Sequence, residues 1–82
     1  MDRPERITIA DAAARLRKPE STVRVWASRH HARKLLKRGK TAWYDWRDLA
    51  TIARQLHLGE PVPATPEERD EIRSAVRAGA AA

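Results

Sequence analysis

The feature that most restricts how this chain can fold is the close spacing of its helix caps and breakers. Thr8 precedes an apolar run, and Asp11 follows three residues later near the positive helix end, so a first helix is expected over 9–17. Ile9, Ala13 and Leu16 then share one face. The break at Arg17-Lys18-Pro19 is short, because Pro19 suits the first turn of a new helix, where its missing N–H would be unpaired anyway. A second helix is expected over 20–32. Its Val23, Trp26, Ala27 and His30 recur at i, i+3, i+4 and i+7 and should press on the first.

Beyond that helix the periodicity changes. Leu35 and Leu36 begin a strand, Arg38-Gly39-Lys40 makes the turn, and Thr41-Ala42-Trp43-Tyr44 returns, with Gly39 supplying the positive φ of a tight hairpin. Two strands alone are marginal in water, so one face must pack on the helices; alternation makes Ala42 and Tyr44 the inner pair and turns Trp43 outward. Asp45 caps a third helix over 46–57, Asp48 reinforces its first turn, and Leu49, Ile52, Ala53 and Leu56 form its stripe before Gly59 stops it. Glu60-Pro61-Val62-Pro63-Ala64 reads as a stiff linker. Thr65, Pro66 and Glu68 then open a fourth helix as cap, first helical residue and capping-box acid. Only Ile72, Ala75 and Val76 form a stripe on it, so it could dock weakly, mediate self-association or stay partly disordered. The expected division is a flexible lead over 1–6, a folded domain over 7–59, a Pro-containing linker over 60–65, and a C-terminal helix with an Ala-rich tail over 66–82. The fold class is mainly α with a small two-stranded β-hairpin.

Size and composition exclude several functions. At 82 residues the chain is one domain, in the range where roughly 60% of the unfolded surface is buried, so an enzyme with a deep pocket is not expected. There is no cysteine, hence no disulfide or thiolate metal site. His30, His31 and His57 lack carboxylate or cysteine partners at ligand spacing, which leaves no expected metal. No nucleophile–base pair and no phosphate-cradling glycine loop is present, so no cofactor and no small-molecule ligand is expected. No apolar run approaches the ~20 residues that span a bilayer, and no signal peptide is visible, so a cytoplasmic protein without membrane contact is expected.

Charge is concentrated in the middle of the chain. Between Arg15 and Arg47 there are eleven Lys or Arg against two acids, Glu20 and Asp45, a local balance of +9; the whole chain carries +6, which leaves −3 elsewhere. A basic middle between faintly acidic ends is the electrostatic footprint of a nucleic-acid surface rather than of general stickiness. The second helix has a matching outer face. Ser21, Thr22, Val25, Ser28 and Arg29 lie largely opposite its apolar side, a short hydrogen-bonding surface with one apolar member that suits a major groove.

Thr8-Ile9-Ala10-Asp11-Ala12-Ala13-Ala14-Arg15-Leu16, Pro19-Glu20-Ser21-Thr22-Val23-Arg24-Val25-Trp26, and Arg38-Gly39-Lys40 leading to Tyr44 and Asp48-Leu49 together resemble the small winged helix-turn-helix domains of phage and plasmid excisionases and of MerR-type regulators. The resemblance spans about 7–58. It implies a winged helix-turn-helix of three core helices plus a C-terminal helix, and a bacterial protein, phage- or plasmid-encoded in the excisionase case. The chain departs from the family at Arg17 and Lys18, where a Gly and a small apolar residue usually stand. Only 66–78 follows where MerR-type regulators carry a dimerisation helix and effector domain, which favours the excisionase type: a small architectural protein that bends DNA and directs an integrase, acting beside other copies of itself on adjacent sites. A small transcriptional regulator, or the DNA-binding part of a terminase small subunit in phage packaging, would show similar features.

The partner expected on this reading is double-stranded DNA. Arg17, Lys18, Arg24, Arg33, Lys34, Lys37, Arg38 and Lys40 are the candidates for phosphate neutralisation, with the hairpin tip near a minor groove. Ser21, Thr22, Val25, Ser28 and Arg29 are the candidate base readers: Arg29 for a guanine edge, Thr22 and Ser28 for either base type, Val25 for a thymine methyl. Thr22 could instead be only an early-turn capping residue, and Arg24 and Arg29 solvated helix arginines. A protein-interaction adaptor whose basic face meets an acidic partner is the alternative from another class. RNA binding is disfavoured by the absence of phenylalanine and of any aromatic-rich sheet.

Overall fold

Arg6–Ile7 (β1), Ile9–Leu16 (α1), Glu20–Arg29 (α2), Lys34–Arg38 (β2), Thr41–Asp45 (β3), Trp46–Leu58 (α3) and Pro66–Ala81 (α4) follow one another in the computed structural model, which describes residues 4–81, with side chains through Val76. The protein is mainly helical with a small antiparallel sheet. Among the described residues no helix is long and apolar enough to cross a membrane.

Helix α1 begins where its cap requires, with the Asp11 N–H donating to Thr8 Oγ1 at 3.2 Å. It ends one residue earlier than expected, because Arg17 adopts φ 55°, ψ 47°. The Lys18 N–H then donates to the Ala13 carbonyl at 3.1 Å and the Arg17 N–H to that of Ala14 at 3.4 Å, a closure that commonly places glycine in the left-handed position. Helix α2 closes in the same way three residues before its expected end. His31 takes φ 51°, its N–H donates to the Ser28 carbonyl, and the Ala32 N–H donates to that of Ala27 at 2.9 Å. Ala27 and Ala32 are both buried, the apolar contact that accompanies this motif. Helix α3 closes likewise, but on Gly59 at φ 71°. An L-residue in this region carries roughly 1–2 kcal/mol of strain that glycine escapes, so α1 and α2 both stop at a strained residue.

The sheet has three strands in the order β1-β3-β2 rather than the expected two. Ile7 pairs with Tyr44 and Arg6 with Asp45, and the Trp46 N–H donates to the Glu5 carbonyl at 2.9 Å. Of the expected flexible lead, Met1–Arg3 lie outside the described residues, while Glu5 and Arg6 are tied to the sheet. A two-residue strand shows no alternation that a sequence reading could detect. Ile7 is only 2% exposed and joins Ala12, Ala13, Val23, Ala27, Leu49 and Ile52 in the core, with Tyr44 and Trp26 packed against it. Trp43 sits one residue out of phase with Tyr44, opposite Leu36. The strand β2 starts at Lys34, one residue earlier than expected, and carries a bulge: Lys34 faces Tyr44 and Leu36 faces Trp43, leaving Leu35 as the extra residue.

Helix α4 is docked mainly by polar contacts, Ile72 being the half-buried member of its apolar stripe. Ala75 is exposed and Val76 is 54% exposed. Arg69, by contrast, is 0% exposed and uses all five of its N–H donors. Nε donates to Asp48 Oδ1 at 2.5 Å and Nη2 to Asp48 Oδ2 at 2.6 Å. Nη1 donates to the carbonyls of His30 and Pro63 at 2.9 Å each, and Nη2 to that of His31 at 3.2 Å. Asp48 stands in the first turn of α3 as expected; it is also fully buried and accepts the Arg33 N–H at 2.7 Å, which makes it in addition the buried counter-ion of Arg69. The Pro-containing linker is stitched down as well: Val62 packs on the core and Gln55 Nε2 donates to the Pro61 carbonyl at 3.3 Å.

Candidate nucleic-acid interface

The candidate surface is built on α2 and the β2–β3 hairpin. Pro19 starts α2 without a side-chain cap, the Thr22 and Val23 N–H groups donating to its carbonyl. Val23 and Ala27 are buried, which fixes the rotation of the helix. Ser21, Arg24, Val25, Ser28 and Arg29 are consequently exposed together, and Thr22 is half-buried beside them. Val25 is 48% exposed in an otherwise polar row. The far end of α2 is held by Arg69, whose guanidinium caps the His30 and His31 carbonyls, a cation at the negative end of the helix.

Arg17 and Lys18 are exposed in the α1–α2 turn. Lys34, Lys37, Arg38 and Lys40 are exposed along the hairpin, whose two-residue loop has Gly39 at φ 58° in its first position. Arg33 is placed otherwise. Its guanidinium contacts Asp70 Oδ2 at 2.9 Å, Asp45 Oδ2 at 3.5 Å and Glu67 Oε1 at 3.7 Å, and the Asp70 hydrogen bond, against desolvation, raises its pKa. A guanidinium spent on three carboxylates is not a free phosphate contact, so Arg33 is removed from the candidate set.

The charges sort into two classes. Arg15 pairs with Glu5 at 2.5 Å and lies 5.0 Å from the Trp46 ring; Arg33, Arg69 and Arg73 pair with Asp45, Asp48, Asp70 or Glu67. Arg17, Lys18, Arg24, Arg29, Lys34, Lys37, Arg38 and Lys40 make no ion pair with a carboxylate among the described residues. Arg6 on β1 and Arg54 on α3 are exposed and likewise make no ion pair among the described residues, but the unpaired cations are most numerous on the α1–α2 turn, α2 and the hairpin, where they are left for a partner.

His31 and Tyr44 join this side without having been candidates from sequence. A left-handed histidine has no local sequence mark, and Tyr44 is placed only by strand register. His30 Nε2 is buried without a hydrogen-bond partner among the described residues, and burial, with neighbouring Arg29 and Arg69, lowers its pKa below the ordinary 6.5. No group of three or more His, Asp or Glu among the described residues could hold a metal ion. Compared with known proteins, the chain matches no protein family, no curated protein and no solved structure.

Proposed function

We propose that this chain is a sequence-specific double-stranded DNA-binding protein of the winged helix-turn-helix type, with α2 in the major groove and the β2–β3 hairpin as a wing on the backbone or minor groove. The observation that carries the reading is the distribution of charge: eight cations on the α1–α2 turn, α2 and the hairpin make no ion pair with a carboxylate among the described residues, whereas Arg15, Arg33, Arg69 and Arg73 are spent on ion pairs. Helix α2 has ten residues, about 15 Å, and a groove about 12 Å wide admits such a helix. Val25 gains a thymine methyl as a partner, Arg29 a guanine edge, and Ser21, Thr22 and Ser28 hydrogen-bonding base edges. Arg17, Lys18, Arg24, Lys34, Lys37, Arg38 and Lys40 neutralise phosphates and set register. The biological output we favour is excisionase-like: an architectural role in recombination beside an integrase. A small transcriptional regulator is the nearest variant.

The test is affinity for a duplex selected from a random pool, measured against salt. Four to seven phosphate contacts give a slope of roughly −4 to −6 in log affinity against log salt, and a slope near zero rejects the reading. Arg29→Ala relaxes base preference, whereas Lys40→Ala weakens all duplexes alike and flattens the slope by about one unit. Direct repeats among the selected sequences favour an array of copies, inverted repeats a two-fold dimer. The adaptor alternative has one observation in its favour, a shallow groove on the outer sheet face where Leu36 and Trp43 lie between Arg6 and Arg38. Capture of a protein partner that survives nuclease treatment would favour it.

A further inference from the structure

Between α2 and β2 lies an open cleft of about 400 Å³. Arg24 and Ser28 border it from α2, His31 from the turn that closes α2, and Lys34 and Tyr44 from the sheet, with Ala27 and Ala32 also lining it. The lining contains no carboxylate, and neither Arg24 nor Lys34 pairs with one among the described residues.

Two departures from regular backbone build this cleft. The first is the bulge in β2. The register of the hairpin beyond it would set Leu35 opposite Tyr44; the extra residue sets Lys34 there instead, with its ammonium 5.8 Å from the Tyr44 ring centroid, while Leu35 lines the groove on the opposite sheet face. A bulge re-aims side chains, and here it exchanges an apolar residue for a cation steadied over an aromatic face. The second is the left-handed His31, a conformation that glycine would adopt without strain. Strain held at one residue points to a use for its side chain. Both irregularities deliver a hydrogen-bond donor to one concavity, which Arg24 and the Ser28 hydroxyl complete.

We propose that this cleft seats a single phosphate of the DNA backbone, clamped by Arg24, Ser28, His31 and Lys34. The proposal rests on the DNA-binding reading above and changes it in two places. Ser28 moves from base reading to phosphate binding, and His31 enters the interface. An ammonium, a guanidinium, a hydroxyl and an imidazole N–H match the acceptor oxygens of a phosphodiester, and charge-assisted bonds of this kind are the strong ones.

The test replaces the backbone linkages of a selected duplex one at a time with neutral methylphosphonates, and measures binding by anisotropy for the intact protein and for Arg24→Ala, Lys34→Ala and His31→Gly. One linkage is expected to weaken the unaltered protein about tenfold, and to weaken Arg24→Ala and Lys34→Ala little beyond the loss those variants already show. His31→Gly is expected to unfold at a higher urea concentration and yet bind more weakly, a combination that a purely structural histidine would not give. If the unaltered protein binds the duplex with an intact salt slope but no linkage couples to these residues, the clamp is refuted while DNA binding stands. Failure of the unaltered protein to bind any duplex refutes both. Saturation of the cleft by inorganic phosphate alone, read from the Tyr44 and Lys34 NMR signals, with no coupled linkage in the duplex, reassigns it to a small free anion and overturns the proposal.

Discussion

Replacing Arg69 by methionine keeps a long unbranched side chain at a fully buried position but removes five hydrogen-bond donors at once. Asp48 is left buried and charged with only the Arg33 N–H, and the His30, His31 and Pro63 carbonyls each lose the guanidinium hydrogen bond they accept. Removing one member of a buried pair typically costs about 3–5 kcal/mol, because the other charge stays desolvated. Total stability at this size is about 4–12 kcal/mol by the usual per-residue range, so the loss is a large fraction of it. For a domain of 60–100 residues each kcal/mol shifts Tm by about 4–8 °C, so Arg69→Met should lower Tm by at least about 12 °C. Arg69→Lys should fall between, since one ammonium cannot serve the carboxylate fork and three carbonyls together. The double variant Asp48→Leu/Arg69→Met removes both charges and should recover much of the loss, because a buried pair replaced by apolar groups is often near neutral. Urea unfolding followed by tryptophan fluorescence measures these four proteins and the single variant Asp48→Leu that completes the cycle. A loss below about 1 kcal/mol for Arg69→Met, or additive effects in the double variant, would show that α4 is held by something else.

Three further outcomes follow from particular residues. Arg17→Gly removes left-handed strain at the end of α1 and should stabilise the fold by about 0.5–1 kcal/mol in thermal unfolding while lowering duplex affinity, so a loss of stability would contradict the backbone assignment. Burial raises the Asp48 pKa, but the Arg69 hydrogen bonds and the Arg33 N–H outweigh it and hold the group below its ordinary 3.8; its contribution is complete above that value and lost as pH falls through the lower folded value. The acid limb of a stability–pH curve should therefore lie below about pH 4 and shrink in Asp48→Asn. His30 has a lowered pKa for the opposite reason, burial of a group that must gain charge, so stability should fall as pH drops below the ordinary 6.5, and His30→Leu should abolish that slope between pH 7.5 and 5. An unchanged slope would assign it to another group.

By itself the sequence determined the elements whose causes are local. Thr8, Asp45 and Thr65 each accept a hydrogen bond from the first turn of the helix they precede, Gly39 and Gly59 carry positive φ where a turn and a helix end need it, and the apolar spacing of α2 set which of its residues face water. Each depends on interactions within a few residues, so residue type and spacing suffice. Tertiary structure decided the rest. Whether Arg33 is a free cation or an ion-pair partner depended on where Asp45 and Asp70 arrive, twelve and thirty-seven residues away. Nothing in the run Glu67-Glu68-Arg69-Asp70-Glu71 marks Arg69 as the one side chain to be buried; that followed from Asp48 and two α2-end carbonyls converging on one point. The two-residue strand β1, the bulge that brings Lys34 over Tyr44, and the left-handed turn at His31, whose carbonyl accepts from Arg69, are likewise answers to distant packing, because each takes an irregular backbone that contacts across the fold hold in place.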